Sequence, residues 1–240
     1  MKKMIIIIST IVLLMNTPVL AEETGHTHEE KTGQHAEAGH GGGHGGGHEE
    51  GAPIQLSPEQ IKQAFDKYAQ ANTVIICNGG VSAGDKDYIL QVMQEYGKIA
   101  FHKVNIKPGF PLLFGQYNKA LFFGLPGNPV SSFNNFCQFV IPTLRRIEGA
   151  DIKQTGFIRA KLTRNFDKTH YRREFVRAIL SYDPTIGFEV TPTGNQSSGR
   201  LTSVTQANCF IAFNETHENY KTGDKVNIQR FVDLLYPHLI

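Results

Sequence analysis

The chain has 240 residues and a formal net charge of +2, from 24 Lys+Arg against 22 Asp+Glu. At ~100–200 residues per domain, that length allows one or two domains and excludes a large multidomain machine, while a composition 40% hydrophobic excludes wholesale disorder. Three cysteines, Cys77, Cys137 and Cys209, are odd in number and far apart, which argues against both a disulfide-stapled fold and a paired-cysteine zinc site.

The charge is unevenly placed. Lys2 and Lys3 give the first 21 residues +2, seven Glu and one Lys give Glu22–Pro53 −6, and the remainder carries +6. Lys2 and Lys3 precede the apolar run Ile5–Met15, a breaker at Asn16-Thr17-Pro18, and Val19-Leu20-Ala21. This pattern predicts a signal peptide over 1–21, because the run is too short for a spanning helix of ~20 residues. No later segment is long and apolar enough to span a bilayer.

Residues 22–56 read as a disordered His/Gly/Glu-rich segment carrying His26, His28, His35, His40, His44 and His48. The glycines disfavour a helix. The imidazoles suit weak capture of Cu, Ni or Zn, or the segment is a solvated linker. Ser57, Pro58 and Gln60 then form a capping box with proline in the first turn, and Ile61, Ala64, Phe65 and Tyr68 follow at helical spacing, predicting a helix from Pro58 to about Gln70. An export-like start, a His-rich segment and IQLSPEQIKQA resemble the start of periplasmic adaptor proteins of heavy-metal efflux systems, over about residues 1–64.

Thr73–Cys77 is a buried-strand run leading into NGGVSAGDKDY, and Ile89, Val92, Met93 and Tyr96 recur at helical spacing before a Gly97 cap. The motif therefore sits on a strand–turn–helix whose free N–H groups suit an anion. Pro111–Gly115 and Ala120–Gly124 read as two strands. Pro126-Gly127-Asn128-Pro129 is a rigid loop, and Val130 to Ile147 carries the apolar stripe of a helix that Pro142 should kink or shorten. From Phe157 onward, short alternating runs (FIRAKL, REFVRAIL, FEVTP, CFIAF, KVNIQ) are separated by turn signals.

GGVSAGDKDY, FHKVNIKPG, PLLFG and FGLPGNPVSSF, in this order and spacing, are similar to the molybdopterin molybdenumtransferase family, the MoeA family that includes the gephyrin E domain. The match runs from about Asp66 to the C-terminus. It implies insertion of molybdate into adenylylated molybdopterin with release of AMP and a divalent cation such as Mg²⁺. By the resemblance, Asn78, Gly79, Gly80, Val81 and Ser82 cradle the molybdopterin phosphate together with Pro126, Gly127, Asn128 and Pro129. Asp85 and Asp87 are acidic active-site residues and Mg ligands, or they merely favour their helix N-terminus. Lys103 and Lys107 match functional lysines, and Arg177 and Ser198 match positions near the active site, with Arg200 a looser candidate. Two positions depart from the pattern. Asn78 stands for the usual Ser or Thr, and Phe110 for the usual lysine of KPGK, which removes a positive charge beside an anion site.

The expected fold is α/β: a truncated MogA-like three-layer α/β sandwich over 57–150, lacking its opening strands, followed by a small C-terminal β-barrel domain over 151–240. The expected function is molybdotransferase chemistry by an incomplete enzyme. The alternatives are a periplasmic His-rich metal-binding protein, or a non-functional fusion of two gene fragments joined near residue 64. Small-molecule substrates and a family-type homodimer are the expected partners. Nucleic acid is not, since aromatic and basic residues are not interleaved. The family points to the cytoplasm and the N-terminus to the periplasm or secretion.

Overall fold

The computed structural model describes residues 4–9, 56–69, 73–81, 87–150, 157–194, 196 and 202–235. The six histidines of the His-rich segment, Ser82, Asp85, Ser198 and Arg200 lie outside them.

The first domain is built on a five-stranded sheet in the order β1-β2-β6-β5-β3. These strands are β1 (Met4–Ser9), β2 (Thr73–Asn78), β3 (Lys98–His102), β5 (Leu113–Tyr117) and β6 (Ala120–Leu125). β1, β2 and β6 are parallel, whereas β5 and β3 run antiparallel. The period-2 alternation of strands divides β2 and β6 between two cores. Ile75, Cys77 and Phe122 face α1 (Pro58–Tyr68) and α2 (Tyr88–Tyr96), with Ile61, Phe65, Ile89 and Met93. Val74, Ile76, Phe123 and Leu125 face the opposite side, with Val140 and Leu144. Covering both faces is what a largely parallel centre requires, and the result is the expected three-layer α/β sandwich.

α1 keeps the expected capping box: Gln60 N donates to Ser57 Oγ at 3.3 Å and Ser57 N donates to Gln60 Oε1 at 2.8 Å. Its Ile61 and Phe65 are buried in the same core as β2 and β6, so the helix packs as part of this domain. Met4–Ser9 pairs parallel with Thr73–Asn78 over six residues, which covers one edge of β2. The same Ile-rich pattern has high β-propensity, which suits a strand at this position.

The helix after β6 is irregular in a way that accommodates Pro142. α3 (Pro129–Asn135) passes into a π-helical turn (Phe136–Val140), and α4 (Ile141–Ile147) begins with Pro142 in its first turn. A wider turn ahead of the proline avoids the i−4 clash that would break a regular helix.

The second domain is a closed barrel of β7 (Ile158–Leu162), β13 (Lys225–Arg230), β11 (Cys209–Phe213), β9 (Arg173–Asp183) and β10 (Gly187–Pro192). Closure comes from β10, which pairs antiparallel with β9 and parallel with β7. Ala160, Val176, Ala178, Val190, Ile211 and Ile228 fill the interior. A small ladder joins β8 (Phe166–Lys168) to β12 (Glu218–Tyr220), and α5 (Thr202–Thr205) and α6 (Phe231–Leu235) lie between and after the barrel strands.

β9 is long enough to serve both domains. Its far end pairs with β10, and its first residues pair with β4 (Ile106–Lys107) of the first domain. Ile106, Cys137, Phe175, Phe210 and Leu234 form a shared apolar core beneath this ladder. The three thiols are buried, as expected of core cysteines. Burial pushes Cys77 far up and Cys137 and Cys209 up to about 12, which leaves them inert at neutral pH.

The edge position of β1 is testable. A chain lacking residues 1–9 is expected to exchange the outward-facing amides of β2 at least about tenfold faster and to self-associate through the bare edge. Unchanged amide protection across Thr73–Asn78 would contradict the pairing.

Candidate functional site

The GGVS turn and the PGNP loop meet at the ends of β2 and β6. Gly79 N donates to Leu125 O at 2.8 Å, and a Cβ on Gly127 would lie 3.6 Å from Gly79 Cα. Gly79 and Gly80 have φ of 88° and 69°, the left-handed region that favours glycine, and a Cβ at Gly80 would come within 3.1 Å of Ile89 Cδ1. The backbone therefore passes close to α2 with no side chain intervening. Val81 is buried, and His102 Nε2 lies 2.9 Å from Val81 O, tying the turn to the end of β3.

Two predicted residues here stand at helix N-termini. Asn128 is the N-cap of α3, its Oδ1 accepting from Val130 N at 3.1 Å and Ser131 N at 3.2 Å. Asp87 stands at the N-cap position of α2, but its carboxylate makes no capping hydrogen bond to that helix. Among the described residues no three His, Cys, Asp or Glu side chains converge as a metal cage.

Two further predicted residues, Lys107 and Arg177, line a cavity of about 610 Å³ between the domains, with Phe110, Ser131, Arg172, Glu174 and Gln196 also in its wall. The KPGF segment forms one side. Asn134 Nδ2 donates to Pro108 O at 2.8 Å, and Asn135 Nδ2 donates to Gly109 O at 3.1 Å and Pro111 O at 3.4 Å. Both asparagines are fully buried. Gly109 sits at φ 113°, and a Cβ there would meet Asn135 Oδ1 at 2.3 Å, so only glycine lets this loop lie against α3. Lys103, before β4, also has a positive φ of 72°, and its N–H donates to Leu112 O at 2.8 Å.

The electrostatics of the cavity centre on Glu174, which is buried. The β4–β9 register sets it beside Lys107, and Lys107 Nζ lies 3.0 Å from Oε1 while His170 Nε2 lies 3.0 Å from Oε2. His170 Nδ1 accepts from Arg172 N at 3.2 Å, which assigns the neutral ring's proton to Nε2, facing the carboxylate. Burial holds His170 below the usual imidazole range against the opposing pull of Glu174. Lys168 is fully buried, with Nζ donating to His170 O and to Thr216 O, and burial lowers its pKa.

Arg177 is 2% exposed and its Nε donates to Ser203 Oγ at 3.2 Å; burial lowers its pKa. Gln196 fastens its loop to the same residue, since Arg177 N donates to Gln196 Oε1 at 3.1 Å and Gln196 Nε2 donates back to Arg177 O at 3.0 Å.

The sequence analysis missed Arg172, Glu174, His170, Asn134 and Asn135. The asparagines had a signal, because two adjacent amides interrupt the apolar stripe of their helix, and a buried polar residue mid-helix usually has a partner. Arg172 had only its place five residues ahead of Arg177 in RREFVR.

Comparisons with known proteins agree with this layout. Residues 44–146 match the family described as probable molybdopterin binding domain, and residues 159–231 match the MoeA C-terminal region (domain IV). The first match begins about twenty residues ahead of the expected Asp66 boundary, and none of the similarities found supports the efflux-adaptor resemblance of the N-terminal segment. The chain is 33% identical over 177 residues to the molybdopterin molybdenumtransferase of Haemophilus influenzae, covering 73% of this chain and 44% of that protein. It is 31% identical over 191 residues to gephyrin of Dictyostelium discoideum, covering 70% and 27%. The crystal structure of the molybdopterin biosynthesis MoeA protein from Pyrococcus horikoshii superposes with a TM-score of 0.60 at 29% identity, covering 73% of this chain and 41% of that one. The chain thus spans less than half the length of the curated relatives it matches.

Two outcomes test this geometry. Gly109→Ala is expected to cost about 2–4 kcal/mol in chemical unfolding, from strain and overlap with Asn135; a change under about 0.5 kcal/mol, the range of neutral surface substitutions, would contradict the close approach. For His170, the unfolded chain takes up a proton before the folded one as pH falls. Stability from the neutral imidazole is therefore full above about pH 6.5 and declines below it until the lower folded-state value is passed. His170→Gln is expected to flatten that part of the stability–pH curve, and identical slopes would count against the assignment.

Proposed function

Through the probable molybdopterin binding domain and the MoeA C-terminal region that it carries, the chain is a member of the molybdopterin molybdenumtransferase family, and from that premise we propose that its two sites bind the two substrates of molybdate insertion. The GGVS turn and PGNP loop receive the phosphate end of adenylylated molybdopterin. The interdomain cavity receives molybdate. The observation that carries this reading is the chemistry of the cavity wall, where Lys107, Arg172, Arg177 and the Ser131 hydroxyl surround one space. A tetrahedral dianion needs such converging cationic and hydroxyl donors, and charge-assisted bonds of this kind are the stronger ones.

Each residue has a defined task in this reading. Arg172 and Ser131 donate to the oxyanion. Lys107 contributes positive charge, moderated by its ion pair with Glu174, and the neutral His170 keeps Glu174 fixed without adding charge. Gly79 and Gly80 let backbone N–H groups approach a phosphate closely. A divalent cation such as Mg²⁺ would neutralise phosphate charge, and Asp87 would be one oxygen ligand, since Mg²⁺ is commonly held by one or two carboxylates together with substrate phosphates.

The test is titration of the purified full-length chain with sodium molybdate by isothermal calorimetry. Saturable binding is expected, weakened at least about tenfold by Arg172→Gln, as for loss of a charged hydrogen bond. Absence of binding by the wild-type chain would overturn the reading.

A further inference from the structure

Among the cations of the cavity wall, Arg172 differs from the others in its surroundings. Lys107 pairs with Glu174 at 3.0 Å, and Arg177 is buried against Ser203. Among the described residues no carboxylate forms an ion pair with Arg172. Its guanidinium instead lies over the ring of Phe110, 4.4 Å from the centroid. An exposed arginine without a fixed partner samples many rotamers, and ordering it on a ligand costs conformational entropy. A ring face within about 6 Å attracts the cation electrostatically and reduces that freedom beforehand.

The ring is itself on a rigid base. Phe110 O accepts from Val104 N at 2.9 Å, and the carbonyls on either side of it, Gly109 O and Pro111 O, both accept from Asn135 Nδ2. Arg172 is restrained from its own end by the hydrogen bond of its N–H to His170 Nδ1. The two residues come from different domains, and the cavity is the space between them. A ring face also leaves all five guanidinium N–H groups available, whereas a carboxylate partner would occupy two of them and cancel the charge.

We propose that Phe110 is a positioning residue for oxyanion binding: its ring holds the Arg172 guanidinium, uncompensated, at the mouth of the interdomain cavity. This gives the departure of Phe110 from the lysine-containing pattern a function. The position contributes no cation of its own and orients one supplied by the other domain. The inference rests on the reading of the cavity as the molybdate site.

The test is a double-mutant cycle on the full-length chain, with molybdate affinity read by calorimetry and folding checked by thermal melting. Phe110→Leu is expected to weaken molybdate binding about two- to fivefold, the scale of one partly exposed cation–π contact. Phe110→Tyr, which retains the ring face, is expected to keep wild-type affinity. In the Arg172→Gln background Phe110→Leu is expected to change nothing further, a result that a merely structural role for the ring would not give. Phe110→Met serves as the ringless variant if Phe110→Leu fails to fold. Wild-type affinity in the ringless variant, or an equal loss with and without Arg172, overturns the inference and leaves the cavity assignment intact. Failure of the wild-type chain to bind molybdate overturns the cavity assignment, and the inference with it.

Discussion

Two buried side-chain amides fix the geometry on which both sites depend. Asn134 and Asn135 donate to the carbonyls of Pro108, Gly109 and Pro111, and so bind the KPGF segment to α3. Those carbonyls lie in an irregular loop with no strand partner of their own. Unsatisfied in the interior, each would cost on the order of 1–3 kcal/mol. Two adjacent asparagines on one helix satisfy three of them at once, and the requirement reaches back into the loop, because only a glycine at 109 lets the chain lie this close.

From this contact the rest of the architecture follows. α3 begins at Asn128, whose cap sets the PGNP loop against the GGVS turn, and one turn later it presents Ser131 to the interdomain cavity. The same helix thus meets the GGVS turn at its start and clamps the cavity wall at its end. The clamped segment carries β4, which adds to the first residues of β9 and places Lys107 beside Glu174. The barrel is therefore joined to the sandwich by a backbone ladder and an apolar core, as well as by the chain between them. The spacing between the GGVS turn and the cavity is therefore set by one helix.

The sequence made most of the elements legible, because period and capping act locally. The capping box at Ser57, the strand–turn–helix around GGVS and the five alternating runs of the barrel all formed at or near their expected bounds. Three features lay beyond it. The Ile-rich start read as an export core, and its pairing with β2, a contact almost seventy residues away in the chain, had no local signal. The two domains were legible separately, but the cavity exists only between them, so Arg172, Glu174 and His170 had no local signal of convergence. Arg177 was identified from its motif and does line the cavity, yet it is buried against Ser203, and the more accessible cation is Arg172, five residues earlier. Phe110 read as the loss of a charge, because the compensating guanidinium is supplied some sixty residues later in the chain.

The central claim is that the space bounded by the clamped KPGF loop, the start of α3 and the first residues of β9 is an oxyanion site. The most direct measurement is anomalous diffraction from crystals of the full-length chain soaked in sodium tungstate, a heavy tetrahedral dianion of the same shape and charge as molybdate. The account predicts one dominant anomalous peak within hydrogen-bonding distance of Arg172 and the Ser131 hydroxyl. A crystal whose tungstate peaks all lie elsewhere, with that cavity open to solvent, would contradict it.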